Sequence, residues 1–288
     1  YRHIQQCANS PGYRLPTPMF NLINGGLHGN GNNLDFQEYM VVPVSMPSFH
    51  EKLMAGKAIF AALGKILQEN GHDVQIGYEG GYAPNLTTNE EGLGCLVKAI
   101  QAAGYVPGQD VLVGLDVAAT SLPTTFSSTV EGYVSLFKNF PILSIEDPFV
   151  EDDWNSWTAL KGKLDGIADG TYPRLLVGDD LFVGTADRLS EGIQKHAANV
   201  MLVKINQAGT LTEVITCIQI AQQAQLLHIV SHRSGETLDS FIADLAVGTA
   251  AAFIKAGSPS DQAPERMVKY ERISGIEEEL SAVRTDYA

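Results

Sequence analysis

From about residue 110 onward, short runs rich in Val, Ile and Leu alternate with longer segments of helical period. Such alternation marks repeated βα units around a parallel sheet. Six strands are predicted, at 111–116, 142–146, 175–179, 200–204, 227–232 and 252–255, with helices at 152–164, 185–196, 211–224 and 238–248. The first hundred residues read differently: extended runs at 19–23 and 36–42, then helical patterns around 49–69 and 89–103. Two strands, two helices and six βα units supply the eight strands of one TIM-type α/β barrel. No Pro/Ser-rich linker divides the chain, so residues 1–288 are expected to form one barrel.

The residue that closes each apolar run is the informative one. Asp116 ends GLD, Glu146 ends SIE, Asp179 follows VG, Lys204 ends LVK, His232 ends VSH and Lys255 ends FIK. Charges often follow strands because loops are solvated, which accounts for any one of these taken singly. Six in succession point elsewhere, because a barrel assembles its active site at the C-terminal ends of its strands. Three adjacent strands end in carboxylates, Asp116, Glu146 and Asp179, and hard oxygen ligands of this kind suit Mg²⁺. Without a cation they would repel one another and their pKa values would rise. A lysine near a divalent ion can have a lowered pKa and act as a general base. The chemistry suggested is removal of a proton next to a carboxylate.

Composition narrows the function classes. A balance of 19 basic against 33 acidic residues, net −14, opposes nucleic acid and anionic membranes. Cys7, Cys95 and Cys217 are far apart and lack metal-ligand spacing, so neither a disulfide framework nor a zinc site is expected, and a reducing cytoplasm fits. The longest apolar stretches, such as 242–254 with Asp244 inside, are too short to span a bilayer, and no signal-peptide layout opens the chain. A soluble protein without a membrane partner is expected.

The segments LPTPMFNLINGGLHG, QEYMVVP, EGGYAPN, GLDVA, SIEDPFVEDDW, VGDDL, LVKINQAGTLTE, VSHRSGETLDSFIADLAVG and IKAGSP make the chain resemble the enolases from Leu15 to Leu280. SHRSGE and SIEDPF are the most specific blocks. The pairing of a Lys base with Mg²⁺ is a known pattern of that superfamily. The resemblance implies the glycolytic dehydration of 2-phosphoglycerate to phosphoenolpyruvate, through an ene-diolate held by metal. It implies that Asp116, Glu146 and Asp179 bind Mg²⁺, that Lys204 removes the C2 proton, and that Lys255 lies against the substrate carboxylate. Glu79, with Glu38 nearby, would help the C3 hydroxyl leave. His28, His232, Arg233 and Ser234 would sit at the substrate, Arg233 and Ser234 on its phosphate. Asp147, Asp180 and Asp239 are expected to support or cap rather than ligate. A cytoplasmic homodimer is implied as well.

The sequence also departs from the family. Tyr78 stands where relatives carry an Asp before the acid Glu79. The stretch HGNGNNLDFQE from His28 to Glu38 is one residue longer than usual, and the connection from Asp116 to Glu146 is short. Tyr1 falls at the barrel entrance, so the family's N-terminal capping domain is expected to be absent from this chain, and the end differs after Leu280. Two further readings remain: a non-catalytic enolase-like protein that binds metal or a partner, and a superfamily member that dehydrates a sugar acid. The second leaves the His232–Arg233–Ser234 trio without a phosphate to bind.

Overall fold

A computed structural model of the chain describes residues 1–122, 129–167 and 172–285. A short helix α1 (Arg2–Ala8) precedes β1 (Thr17–Asn24), β2 (Glu38–Pro43), α2 (Phe49–Glu69) and α3 (Asn89–Ala102). Then come β3 (Val111–Asp116), α4 (Val130–Asn139), β4 (Ile142–Glu146), α5 (Trp154–Gly166), β5 (Leu175–Gly178) and α6 (Ala186–Lys195). The chain continues through β6 (Val200–Val203), α7 (Ile205–Ala208), α8 (Leu211–Gln223), β7 (Leu227–Ser231), α9 (Phe241–Gly248), β8 (Phe253–Lys255) and α10 (Pro264–Thr285). The eight strands close in sequence order into a barrel. β2 runs antiparallel to both β1 and β3, every other pairing is parallel, and β8 pairs with β1 to close the ring.

Local chemistry fixes where the helices begin. Ser48 and Glu51 form a reciprocal capping box at the start of α2, and Thr210 with Glu213 does the same for α8. Each satisfies two backbone N–H groups that have no partner inside the helix. Thr88, Thr129 and Asp153 cap α3, α4 and α5 through a single side-chain oxygen.

Two apolar layers follow from the strand alternation. The larger packs the helices on the outside of the barrel and includes Phe20, Tyr39, Leu63, Leu96, Trp157, Phe182 and Tyr270. The smaller draws on every strand, among them Met19, Met40, Leu112, Leu143, Val177, Leu202 and Ile229, with Phe253 packed against it. A cluster fed by all eight strands is the plug of the barrel, which leaves no pore. Its tightness is visible at Gly114, where an added Cβ would lie 2.9 Å from Ser144 Oγ and 3.1 Å from Met19 Cε.

The two-strand, two-helix, six-unit layout read from the sequence is therefore the observed one. Three expected strands end one residue early, leaving Asp179, Lys204 and His232 as the first residues beyond β5, β6 and β7. Helices α1, α4, α7 and α10 add to the elements expected. Part of the short connection between Asp116 and Glu146 lies outside the described residues. Among the described residues, no helix is long and apolar enough to cross a membrane.

Candidate active site at the barrel mouth

The antiparallel β2 brings Glu38 to the mouth. Because β2 runs backwards, its first residue sits level with the last residues of its neighbours: Asn24 pairs with Glu38, Glu38 with Asp116, and Asp116 with Glu146. Lys255 closes the other side in register with Ser231 and Met19. Asp179, Lys204 and His232 enter the same rim from the residues just after β5, β6 and β7. Glu79 arrives on the loop after α2, where Gly80 at φ +82° turns the chain and Ser258 N donates to Glu79 O at 3.0 Å.

Two lysines neutralise the carboxylates. Lys255 is 2% exposed, and its Nζ lies 2.8 Å from Glu146 Oε2, 3.0 Å from Asp116 Oδ2 and 3.1 Å from Glu38 Oε2. Burial favours a neutral amine, but Asp116, Glu146 and Glu38 outweigh it and hold Lys255 charged, well above the usual lysine range. Lys204 donates to Asp179 Oδ2. Burial lowers its pKa too, and Asp179 and Glu146 again prevail, so the net direction is upward. The lowered pKa expected of Lys204 is thus not a property of the chain by itself, because the carboxylates that would share a cation pair with the lysine instead.

Glu38 and Glu79 are set apart by their neighbours. Burial and the nearby charge of Glu79 push Glu38 well above the usual carboxyl range. Glu79 is equally buried, but His232, His28 and Lys255 override burial and bring it well below. The proton of this pair rests on Glu38. His28 Nδ1 lies 3.7 Å from Glu79 Oε1 and 3.9 Å from Glu38 Oε1, and its Nε2 is 3.1 Å from Ser234 Oγ. His232 Nε2 is 3.3 Å from Glu79 Oε2. Burial lowers the pKa of both histidines and outweighs the opposing pull of Glu79. The lengthened loop is tied down by Asn32, whose Nδ2 donates to Asn24 O at 2.8 Å and Pro84 O at 3.0 Å. His28 thereby keeps its place at the mouth. Tyr78 is 64% exposed, its ring stacking loosely over His28 at 6.2 Å.

A small cavity is lined by His28, Glu38, Glu79, Lys204, His232, Arg233, Ser234 and Lys255, with Gln37 and Ser231 completing it. Gln37 also lines a larger recess of about 420 Å³ bounded by Leu27, Asn33, Val117 and Ser121. Asp116, Glu146 and Asp179 lie behind the lysines.

Several supporting residues escaped the sequence reading. Asn21 Nδ2 donates to Glu79 Oε2 at 3.0 Å, and Gln207 Nε2 donates to Asp179 Oδ1 at 3.0 Å. Gln37 Nε2 reaches Asp116 Oδ2 at 3.4 Å. Gln37 and Gln207 sit within the QEYMVVP and LVKINQ motifs, so proximity could have flagged them, whereas Asn21 is one polar residue inside an apolar strand. Asp147 accepts from Asp179 N at 3.1 Å and Asp180 N at 2.7 Å, which makes it a brace for that turn, as expected. Asp239 Oδ1 accepts from Phe241 N at the start of α9.

The donor set fits a hard dication. Glu146 Oε1 is buried without a hydrogen-bond partner, and burial, reinforced by Asp116, raises the carboxyl to about 8. A divalent ion among these oxygens would relieve both conditions. Asp116, Glu146 and Asp179 are separated by the two ammonium groups. Among the described residues, the tighter groupings, with ligand atoms within 4.8 Å of one another, are Asp147–Asp179–Asp180 and His28–Glu38–Glu79.

Strand order, one reversed strand and a ring of carboxylates and lysines at the C-terminal mouth together define the enolase-type barrel rather than the uniformly parallel TIM barrel. The family model described as "Enolase, C-terminal TIM barrel domain" matches residues 12–124 and 121–288, nearly the whole chain, and the chain belongs to that family. The two matched segments meet at 121–124, inside the connection that the sequence showed to be short.

Proposed function

We propose that this barrel carries out the dehydration of 2-phospho-D-glycerate to phosphoenolpyruvate with Mg²⁺. The reading rests on one observation above all: Lys204, the Glu38/Glu79 pair and the His232–Arg233–Ser234 trio face a common cavity. A base, an acid and a phosphate-binding group on three sides of one space are what β-elimination from a phosphorylated hydroxy acid requires. Asp116, Glu146 and Asp179 would hold Mg²⁺, which when bound supplies positive charge opposite the substrate carboxylate.

Lys204, as the neutral amine, takes the C2 proton. The electron pair of that C–H bond moves into the carboxylate to give an ene-diolate, and it returns to form the C2–C3 double bond as the C3–O bond breaks. The departing oxygen takes a proton from the Glu38/Glu79 pair and leaves as water. Lys255 balances the charge that collects on the carboxylate, and Arg233 with Ser234 anchors the phosphate. Lys204 and Lys255 must leave their carboxylates as substrate and cation enter.

The test is turnover of purified protein, with any further domains the full-length chain carries, on 2-phosphoglycerate with and without Mg²⁺, followed by the absorbance of the enol phosphate. Magnesium-dependent product is expected. No product from 2-phosphoglycerate, or faster dehydration of unphosphorylated sugar acids, would overturn the reading.

A further inference from the structure

Arg266, on the first turns of α10, is 2% exposed and has none of the roles above. Its Nη1 lies 2.6 Å from His232 Nδ1 and donates to Arg233 O at 2.7 Å, while its Nη2 donates to Ser234 O at 2.6 Å and Tyr78 O at 3.2 Å. Its Nε faces Glu265 Oε1 at 3.4 Å. One side chain from outside the barrel thus ties the loop that presents Glu79 to the loop that carries the trio. The guanidinium fits there because position 257 is glycine, at φ +85°: a Cβ would come within 2.8 Å of Glu79 O and 2.9 Å of Arg266 Cδ.

A guanidinium carries five N–H groups, offers no acceptor and does not deprotonate in proteins. The hydrogen shared with His232 is therefore the arginine's, and Nδ1 must be the bare nitrogen. An imidazolium would set two donors against each other at 2.6 Å. The proton of the neutral ring is left on Nε2, 3.3 Å from Glu79 Oε2. Asn21 already donates to that oxygen. Nε2 approaches the same oxygen at ion-pair distance without a formed hydrogen bond, and Oε1 is turned toward His28.

We propose that Arg266 is a positioning residue that fixes His232 as the Nε2–H tautomer and, through it, orients the Glu79 carboxylate at the mouth. The tautomer stands on geometry alone; its effect on turnover rests on the dehydration proposed above. Partners that orient metal-ligating histidines change activity about 10- to 100-fold when removed, and an effect of that order is expected here.

The experiment is long-range ¹H–¹⁵N correlation spectroscopy of the full chain labelled in its histidines, with the His232 signals identified by their loss in His232→Gln. The wild-type protein is expected to show a pyridine-like Nδ1 and a pyrrole-like Nε2 at neutral pH. Arg266→Met should average the two nitrogens and lower kcat more than it raises KM, and Arg266→Lys, which keeps a donor, should restore part of both. A pyrrole-like Nδ1 or a charged ring in the wild type overturns the proposal and needs no folded variant. So does an unchanged His232 signature in folded Arg266→Met. A wild-type chain that shows the Nε2–H ring but no turnover would remove the assigned reaction and leave the role of Arg266 standing.

Discussion

Glu146→Gln offers a test in which the magnitude can be worked from the structure. Burial and Asp116 carry this carboxyl from an ordinary 4.5 to about 8. Between those values the folded chain keeps a proton that the unfolded chain has released. Stability contributed by Glu146 is therefore full at the acid end and falls as pH rises toward about 8. At about 1.4 kcal/mol for each tenfold, the full span amounts to roughly 5 kcal/mol, an upper figure given how strongly the group is coupled to Lys255 and Asp116. Buried His228 works the other way: burial, aided by Arg14, lowers it to about 4, so its opposing contribution is complete by its ordinary 6.5. The window from neutrality to pH 8 is the cleaner one. Urea unfolding in chelator should show wild-type stability falling across that window, and the fall should shrink in Glu146→Gln, which carries no titrating proton. Magnesium should remove the fall in the wild type by pairing with the ionised carboxylate, adding about 2.7 kcal/mol at a hundredfold excess over its dissociation constant. It should do much less in the variant. Identical pH profiles for the two proteins, with or without magnesium, would refute the reasoning.

Lys204→Met should lower turnover of 2-phosphoglycerate at least about 100-fold while calorimetry still detects substrate binding, because only the general base is lost. Asp147→Asn tests the brace under the Asp179 turn: Asn tolerates the left-handed backbone at φ +41°, so the variant isolates the loss of one acceptor for two N–H groups. It should weaken Mg²⁺ binding about 10- to 100-fold by titration calorimetry, with stability reduced by about 1–3 kcal/mol. Gly257→Ala forces a Cβ against Glu79 O and Arg266 at φ +85° and should cost about 1–3 kcal/mol in urea unfolding, with a parallel loss of turnover. An unaltered Gly257→Ala protein would mean that the contact between α10 and the Glu79 loop is slack.

The barrel and most of its mouth were legible because each strand announces itself twice, by an apolar run and by the charged residue that ends it. Asp116, Glu146, Asp179, Lys204 and Lys255 all lie where those endings placed them. Glu38 was legible only by resemblance, since it begins its strand, and it reaches the mouth because β2 is reversed. α10 was harder to see. Met267, Tyr270, Ile273 and Ile276 recur at helical spacing, but Arg266 and Lys269 are buried beside them, and a hydrophobic reading discounts buried cations. Those cations hold the loops of the mouth. Lys269 pairs with Glu236 at 2.6 Å, and Glu236 in turn accepts from Arg233 N, so the helix grips the trio's loop at a second point. Such partners are set by tertiary packing and leave no local spacing to read.

Charge counting explains why the acid pair is asymmetric. Five carboxyl groups, Glu38, Glu79, Asp116, Glu146 and Asp179, share the mouth with two ammonium groups, Lys204 and Lys255, while burial lowers the pKa of both histidines. Five ionised carboxylates would leave an excess of negative charge in a buried space, so protons are held most tightly where burial and neighbouring carboxylates outweigh Lys255. Glu146 and Glu38 keep theirs. Glu79 does not, because His232, His28 and Asn21 all face its oxygens. The result is a protonated Glu38 beside an ionised Glu79, two chemically identical groups given opposite states by their neighbours. A cation entering among Asp116, Glu146 and Asp179 would displace a proton from Glu146 before it disturbed Glu38. The acid side could then stay charged with its proton while the metal side is emptied of its own.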